Sequence, residues 1–290
     1  MSETPTRAGT WQVRGRVVSL ARPLVMGVLN VTPDSFSDGG EHASVAGAVV
    51  HAARLLAEGA DLLDIGGEST APGRMPVPVG VELQRIVPVV EAIVARWPQA
   101  TLSVDTMKAA VADAALMAGA HVVNDVTGGR ADPALLATCA RHGAGLVLMH
   151  SRGEPGTLAD HVHADFGDDV VGAVHDELRA RLDAALAAGV SRAAIVLDPG
   201  MGFGKRTPHA IALLRELHRL ATLGVPLLVG VSRKRVVGEL TGVTEPAARV
   251  HGSVGAHLAA VMRGASIVRT HDVAATRQAL DAAWPILAPA

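Results

Sequence analysis

The sequence predicts an α/β fold, a (β/α)8 TIM barrel preceded by a short N-terminal strand or hairpin. Two observations lead to this class. Short runs of Val, Leu and Ile alternate with Ala-rich stretches, and eight such units fill about 260 residues, the usual length of this barrel. A doubly wound parallel sheet uses the same βαβ units and stays open as the structural alternative, although the count of eight favours the barrel.

Each apolar run is short, continuous and mostly followed by Gly, Pro, Asp, Asn or Ser. Such a run is typical of a strand that is buried on both faces of a parallel sheet. The predicted strands are residues 24–29, 62–65, 102–104, 122–123, 146–149, 195–197, 227–231 and 267–268.

Apolar periodicity between these runs predicts helices over residues 45–58, 81–97 and 169–188. Each is followed directly by Gly or Pro, which are ordinary helix stop signals. Alternation over residues 11–20 predicts a strand or hairpin that closes the barrel floor. Since no linker or composition shift divides the chain, we expect one domain, 11–290, after a flexible N-terminus, 1–10.

The composition excludes several classes of protein. Aromatic residues make up 2% of the chain, with three Phe, three Trp and no Tyr. Aromatic platforms that stack nucleic-acid bases are therefore not expected. A net charge of -2 provides no basic field for nucleic acid. A single cysteine, Cys139, rules out an intrachain disulfide framework. The N-terminal segment MSETPTRAGTWQVRGR lacks the apolar stretch of a signal peptide, and no apolar run is long enough for a membrane span, so we expect a cytoplasmic protein.

A polar or ionisable side chain stands at the C-terminal end of every predicted strand. In a barrel these ends meet on one rim, where reactive groups sit. One or two would be ordinary caps, but eight on one rim would concentrate desolvated charge, which favours a functional site. The residues are Asn30, Asp64, Asp105, Asn124 with Asp125, His150, Asp198, Ser232 with Arg233 and Lys234, and Arg269 with His271.

The order of these side chains around the rim indicates the chemistry of the ligand. Acceptors such as Asp105 and Asp198 come from the middle strands and suit a heterocycle rich in N–H donors. A group of cations follows the last two strands, where barrels often bind phosphate. Its members are Lys234, Arg269 and His271. The rim therefore predicts a site for a nitrogen heterocycle that carries a phosphate or pyrophosphate.

The glycine-rich segment 200–205, GMGFGK, resembles a phosphate-binding loop. However, Pro199 and Arg206 occupy positions where a P-loop requires Gly and Ser or Thr. The segment is therefore predicted to be a sharp turn that permits close backbone approach.

Two further features have a structural explanation that is favoured over a functional one. His161 and His163 have metal-ligand spacing, but they fall in the long connection after the fifth strand, where a solvated loop is expected. Asp168 or Asp169 would start the helix that follows. Cys139 lies on a predicted Ala-rich helix, without an activating neighbour in sequence, and is expected to pack rather than react.

The same residues carry a family resemblance that spans residues 24 to 272. The segments MGVLNVTPDSFSDGG, DIGGEST, SVDT, NDV, LMH, DPGMGFGK, SRK and VRTHD follow in this order. Each piece alone is weak, but the combination resembles the dihydropteroate synthases of folate biosynthesis, within the pterin-binding enzyme family. The methyltetrahydrofolate methyltransferases of that family share the barrel and its acidic positions, whereas the NVTPDSFSDGG and SRK segments favour the synthases.

The resemblance implies a transferase that joins 6-hydroxymethyl-7,8-dihydropterin pyrophosphate to p-aminobenzoate and releases 7,8-dihydropteroate and pyrophosphate. It implies a Mg²⁺ ion that bridges the pyrophosphate near Asn30, and mobile lids at residues 31–40 and 67–77. A homodimer through the last helices, with small molecules as the other partners, is also implied. Since sulfonamides mimic p-aminobenzoate, the enzyme would be a sulfonamide target.

Residue roles follow from the same resemblance. Asp105, Lys234, Arg269 and His271 would be catalytic. Arg269 would meet the pyrophosphate and also offer its planar guanidinium to the pterin, in place of an aromatic ring. The implied substrate-binding residues are Asp64, Thr70, Pro72, Asp105, Asn124, Met149, Asp198, Phe203, Ser232, Lys234, Arg269 and His271.

One departure from the family pattern affects the expected activity. The turn that usually reads ESTRPG has Ala71 in place of the loop arginine. A charge-assisted hydrogen bond contributes roughly 1.5–3 kcal/mol, so its loss would cost on the order of 10–100-fold. Three alternatives follow: an active synthase in which Arg74 substitutes or the loss is tolerated, a weakly active pterin-binding paralogue, or a synthase with altered sulfonamide sensitivity. The intact pterin and pyrophosphate residues favour activity.

Overall fold

A computed structural model describes residues 9–32, 40–69 and 76–287. Within these ranges, an antiparallel hairpin of β1 and β2 precedes a sheet of eight parallel strands. The strands are β1 (Thr10–Val13), β2 (Arg16–Ser19), β3 (Leu24–Asn30), β4 (Leu62–Gly66), β5 (Thr101–Asp105), β6 (Val122–Asp125), β7 (Gly145–Met149), β8 (Ile195–Asp198), β9 (Leu228–Val229) and β10 (Ile267–Thr270).

The sheet closes into the predicted barrel. Its strands pair in the order β8-β7-β6-β5-β4-β3-β10-β9, and a parallel bridge between Leu197 and Leu227 joins β8 to the residue before β9. Strand β9 is shorter than the predicted 227–231, because the chain already turns where Val231 O accepts a hydrogen bond from Lys234 N.

Helices follow the strands, and the three predicted ones are confirmed with small shifts at their ends. Asp169 begins the helix after the long connection, since its Oδ1 accepts a hydrogen bond of 2.9 Å from Gly172 N. The helices are α1 (Gly40–Ala57), α2 (Val79–Arg96), α3 (Ala109–Met117), α4 (Ala134–His142), α5 (Val170–Ala187), α6 (Thr207–Arg215), α7 (Leu217–Ala221), α8 (Arg235–Thr241), α9 (Val250–Met262) and α10 (Val273–Leu287).

The alternation of side chains along each strand divides the barrel interior into two layers. Successive strand residues point to opposite faces, so one set packs against the helices and the other fills the barrel. The lower inward layer is apolar and includes Leu62, Val122, Val196 and Ile267. Two residues further along the same strands, the inward positions are Asp64, Asn124, Asp198 and Arg269. The sequence thus builds an apolar floor beneath a polar rim.

The N-terminal hairpin covers the apolar end of the barrel, as predicted. Trp11, Val13 and Leu20 pack with the lower inward layer, and Trp11 is fully buried. Its indole Nε1 donates to Ala194 O at 2.8 Å, which satisfies its one polar atom. Arg14 donates to the carbonyl oxygens of Leu116 and Ala120. The hairpin is therefore fixed by both apolar packing and hydrogen bonds.

We expect Trp11→Ala to lower the free energy of unfolding by about 3–5 kcal/mol, the usual effect of removing a large buried ring. Urea denaturation followed by circular dichroism measures this change. Trp11→Phe is the matched control, since it keeps most of the packing and loses the single hydrogen bond, worth about 1 kcal/mol. An Ala variant as stable as the Phe variant would show that the hairpin is not part of the cooperative core.

Among the described residues, no helix is both long and apolar enough to cross a bilayer. Residues 1–8 lie outside the described residues. Thr10 already begins β1 and pairs with Ser19, so the flexible N-terminus predicted over 1–10 does not reach residue 10. The single domain 11–290 stays a prediction.

Candidate active site

The carboxyl ends of the strands surround a cavity of about 510 Å³. Of the residues predicted for the site, those that line the cavity are Asn30, Asp105, Phe203, Ser232, Lys234, Arg269 and His271. Asp64, Asn124, Met149 and Asp198 are buried. Thr70 and Pro72, together with Ala71 and Arg74, lie outside the described residues.

Arg269 pairs with two carboxylates, the fully buried Asp64 and Asp105 on the cavity wall. Its Nε lies 2.6 Å from Asp64 Oδ2, and its Nη2 lies 2.9 Å from Asp105 Oδ2. Asn124 Nδ2 donates to the same Asp64 oxygen at 3.0 Å. Asp64 Oδ1 is buried and accepts no hydrogen bond from the described residues. The floor of the site therefore binds a planar group of N–H donors, and Asp64 Oδ1 can accept a further hydrogen bond.

Two carboxyl groups of this floor have raised pKa values. Burial raises the pKa of Asp105 to about 7, although Arg269 opposes the shift and Asp64 adds to it. Burial also raises the pKa of Asp198, and Lys234 opposes that shift. Such shifted carboxyl groups in a cleft are typical of functional sites.

The loop between β8 and α6 is the sharp turn that the sequence predicted. Asp198 Oδ1 accepts a hydrogen bond of 2.7 Å from Gly200 N. Gly200 has φ +67°, and a Cβ there would stand 1.9 Å from His150 O. Only glycine can take this position, because it combines a left-handed backbone with contact to a neighbouring main chain.

Lys234 and Phe203 lie side by side at the cavity. Lys234 Nζ is 4.7 Å from the centre of the Phe203 ring, a cation–π distance. The same Nζ donates to Met201 O at 2.5 Å. Desolvation lowers the pKa of Lys234 to about 8, with Asp198 opposing the shift. This wall offers a cation and an aromatic face to one ligand.

His271 differs from its predicted role as a cation. Burial, with Arg269 and Arg233 nearby, lowers its pKa to about 4, so the ring is neutral at pH 7. Its Nδ1 lies 3.0 Å from Ser232 Oγ, which also accepts a hydrogen bond from the His271 backbone N–H at 3.1 Å. If the Ser232 hydroxyl donates to Nδ1, the ring carries its proton on Nε2 and can donate that hydrogen bond to an anion.

The turn that precedes Lys234 is held in an uncommon conformation. Arg233 has φ +59°, which is rare for a residue other than glycine. Its guanidinium forms a two-bond ion pair with Asp272, its N–H donates to Ser253 Oγ, and its carbonyl accepts from Arg249. These contacts offset the backbone strain at Arg233. They also fix the positions of Ser232 and Lys234, the residues directly before and after Arg233.

Two strand-end residues do not join the site, so the prediction that every strand end converges on it is wrong. Asp125 accepts hydrogen bonds from Thr127 and Gly129 and thereby closes its own loop. His150 contacts Lys205 and Glu177. Each follows an inward-facing residue by one position, and a shift of one residue turns a strand side chain to the other face.

Sequence reasoning missed two lysines near the rim, one buried and one partly exposed. The sequence places Lys205 at the end of a glycine-rich segment, yet the side chain is 1% exposed and bound by the main chain. Lys108 pairs with Glu68 and the fully buried Glu82. A signal was present in the composition: the chain has only three Lys beside 23 Arg, and all three stand near this rim.

The remaining motifs have local structures of their own. His161–His163 form a short 3-10 helix in the connection after β7, where the sequence predicted a solvated loop. Cys139 is buried on α4, and burial raises the pKa of its thiol to about 12, so the unreactive thiol predominates.

Comparisons with known proteins agree with this geometry. The family model described as pterin binding enzyme matches residues 26–271. The dihydropteroate synthase of Neisseria meningitidis serogroup C is 46% identical over 280 residues, which cover 96% of this chain and 97% of the relative.

Solved structures of Xanthomonas albilineans dihydropteroate synthase are also similar. The structure with 4-aminobenzoic acid is 50% identical, with a TM-score of 0.89, and the match covers 98% of this chain and 100% of that one. The structure in complex with 7,8-dihydropteroate is 48% identical, with a TM-score of 0.86, and the match covers 97% of this chain and 100% of that one. The chain therefore belongs to the pterin-binding enzyme family, and within it to the dihydropteroate synthases.

Proposed function

We propose that this chain condenses 6-hydroxymethyl-7,8-dihydropterin pyrophosphate with p-aminobenzoate to give 7,8-dihydropteroate and pyrophosphate. The observation that carries the proposal is the guanidinium of Arg269 on Asp64 and Asp105. The aminopyrimidinone edge of a pterin is likewise planar and rich in N–H donors, so the same carboxylates can accept it. Cations beside this floor then suit the attached pyrophosphate.

In this proposal the pterin replaces Arg269 on the carboxylates. Asp64, Asp105 and Asp198 accept its N–H groups, and Asn124 offers both a donor and an acceptor. The displaced guanidinium of Arg269 turns to the pyrophosphate, which the Nε2–H of a neutral His271 also meets. The buried, hydrogen-bonded floor thus sets the orientation of the heterocycle.

The other side of the cavity receives p-aminobenzoate. Phe203 and Lys234 provide an aromatic face and a cation next to it, which suit a benzoate ring and its carboxylate. Ser232 is nearby. Thr70 and Pro72 complete this subsite in the proposal, by resemblance alone.

The chemistry is a substitution at the pterin methylene carbon. The C–O bond to pyrophosphate breaks, and its electron pair leaves with the pyrophosphate. The nitrogen of p-aminobenzoate supplies the pair for the new C–N bond and then loses one proton. Charge builds on the leaving group, so Arg269 and the Nε2–H of His271 lower the barrier by standing where it develops. Exclusion of water protects the reactive carbon.

A Mg²⁺ ion fits this site with Asn30 as its protein ligand. The Asn30 side chain is exposed at the end of β3 and lines the cavity. An amide oxygen is a hard ligand, and Mg²⁺ commonly combines few protein ligands with substrate phosphates and water. When bound, the ion would neutralise charge on the leaving pyrophosphate.

Release of pyrophosphate that depends on p-aminobenzoate is the deciding experiment. The purified protein with Mg²⁺ and both substrates should release pyrophosphate and form dihydropteroate in equal amounts. Pterin binding without product would identify a pterin-binding paralogue. Transfer of a methyl group to a cobalamin acceptor without pyrophosphate release would identify a methyltransferase.

Affinity for the pterin should fall as the pH drops below about 7. The pKa of Asp105 is raised to about 7, so below this pH the carboxylate gains a proton and loses acceptor capacity. One proton changes the affinity by at most tenfold per pH unit. Calorimetry with 6-hydroxymethylpterin between about pH 5.5 and 8 measures the slope. Asp105→Asn is the control, and should bind weakly with no slope; a flat wild-type profile would contradict the assignment.

Ala71 makes sulfonamide binding a second property to measure. If Arg74 meets the anion that the usual loop arginine meets, Arg74→Ala should raise the KM for p-aminobenzoate and the sulfonamide inhibition constant together, by on the order of tenfold. Unchanged constants would show that Arg74 is not the substitute.

We also propose a homodimer that forms through the last helices. Met262 on α9 and Ile286 on α10 are exposed to 62% and 83%, and apolar side chains in such positions suit a subunit contact. Light scattering of the purified protein measures the mass directly. A cytoplasmic location is proposed too, since a free, buried cysteine fits a reducing compartment.

A further inference from the structure

A network of polar contacts packs against the loop 199–204 and is centred on a buried lysine that has no role in the substrate assignment above. Lys205 is at its centre. Its Nζ lies 3.1 Å from Gly200 O, 3.0 Å from Phe203 O and 3.3 Å from His150 O. It also lies 2.8 Å from His150 Nδ1. An ammonium has three protons to donate, and these acceptors can take all of them.

His150 extends the network to a carboxylate. Its Nε2 lies 3.0 Å from Glu177 Oε2, and Glu177 also pairs with Arg152. Burial and the charge of Lys205 lower the pKa of His150 to about 4, so the ring is neutral. The neutral ring donates from Nε2 to Glu177 and accepts at Nδ1 from Lys205, which fixes its tautomer.

The burial of Lys205 needs an explanation, because an unpaired buried ammonium is strongly unfavourable. Burial lowers its pKa to about 7, with nearby Asp198 opposing the shift. A core position of the same volume would be filled at lower cost by an apolar side chain. An apolar side chain, however, could not bind the carbonyl oxygens of a tight glycine-rich turn. Lys205 binds two carbonyl oxygens of that turn, and its other two contacts are to His150.

The turn is held by two lysines that both line the cavity. Lys205 binds Gly200 O and Phe203 O, and Lys234 binds Met201 O. Asp198 precedes the turn and is tied to it through Gly200 N. A movement of the turn therefore displaces Phe203 and disturbs the hydrogen bond that orients the Asp198 carboxylate.

We propose that Lys205, oriented by His150 and Glu177, is a positioning residue that fixes the loop 199–204 so that Asp198 meets the pterin and Phe203 meets p-aminobenzoate. The proposal rests on the function proposed above for the two subsites. Lys205 lies at the edge of the cavity, but it is only 1% exposed and protein acceptors surround its Nζ. It therefore acts through the loop rather than by binding a substrate.

The first test is Lys205→Met, which keeps the length of the side chain and removes its hydrogen bonds. We expect the Kd for 6-hydroxymethylpterin and the KM for p-aminobenzoate each to rise on the order of tenfold, the effect of one lost charge-assisted hydrogen bond. kcat should change less. A residue needed only for folding would reduce the amount of active protein and leave Kd and KM unchanged, so these constants separate the two roles.

A second pair of variants keeps the test informative if Lys205→Met does not fold. Glu177 is partly exposed, with 39% of its side chain accessible, so Glu177→Leu should fold. It removes the acceptor of His150 and should raise the same two constants by a smaller factor, about threefold. Glu177→Gln retains an acceptor oxygen and should restore them toward the wild-type values.

Wild-type Kd and KM values in folded Lys205→Met would overturn the proposal, as would equal constants in the Leu and Gln variants at position 177. Pterin binding by calorimetry does not depend on turnover. If the wild-type protein binds pterin but makes no dihydropteroate, the proposed function fails, while the calorimetric arm still decides the role of Lys205.

Discussion

Arg269→Met is expected to lower kcat/KM for the pterin pyrophosphate by on the order of 10²–10³-fold, and to leave binding of a pterin without pyrophosphate unchanged or tighter. The first effect follows from the loss of a cation at the developing charge, worth about 3–4 kcal/mol. The second follows because Arg269 occupies Asp64 and Asp105, where it competes with the pterin.

Calorimetry with 6-hydroxymethylpterin and steady-state kinetics with the pyrophosphate ester measure the two effects separately. Arg219→Met is the matched control, since Arg219 forms surface ion pairs with Asp169 and Glu216; its constants should stay within about twofold, as exposed pairs contribute little. If Arg269 chiefly stacks on the pterin, as the sequence suggested, the Met variant will instead bind the free pterin more weakly.

Gly200→Ala is expected to abolish most of the activity. The added methyl group would stand 1.9 Å from His150 O, so the turn must move away from β7. That movement breaks the hydrogen bond from Gly200 N to Asp198 and displaces Phe203. A loss in kcat/KM of at least about 100-fold is expected, since small misplacements of positioning groups have effects of this size.

Gly143→Ala provides a control for the effect of a left-handed glycine alone. Gly143 has φ +58°, and nothing lies within 4 Å of a Cβ there. It should lose only about 1 kcal/mol of stability through backbone strain, with unchanged kinetics. Equal kinetics in the two Ala variants would show that the close approach to His150 has no part in catalysis.

The barrel and most of its rim could be predicted because both depend on local pattern. Continuous apolar runs identify strands covered on both sides, and the residue two positions beyond an inward apolar side chain faces inward again. Asp125 and His150 stand one position off this inward series. The same alternation therefore predicts that their side chains face away from the site.

Other parts of the site depend on contacts that no local pattern contains. The pairing of Arg269 with Asp64 and Asp105 joins residues more than 150 positions apart in sequence. The neutral state of His271 results from burial beside Arg269 and Arg233. Lys205 follows a glycine-rich turn, where a lysine is expected to be exposed, and only the fold shows that the turn wraps around it.

The placement of the three lysines has a practical consequence for handling the protein. Lys108, Lys205 and Lys234 all stand near the catalytic rim, while the 23 arginines supply the other basic side chains. An amine-reactive ester will therefore modify the mouth of the barrel or the N-terminal amine, with the side chain of Lys205 protected by its 1% exposure. Coupling the protein to a surface through lysine would attach it at the mouth of the barrel and obstruct the site. A dye attached to the same lysines would respond to ligand binding in the cavity.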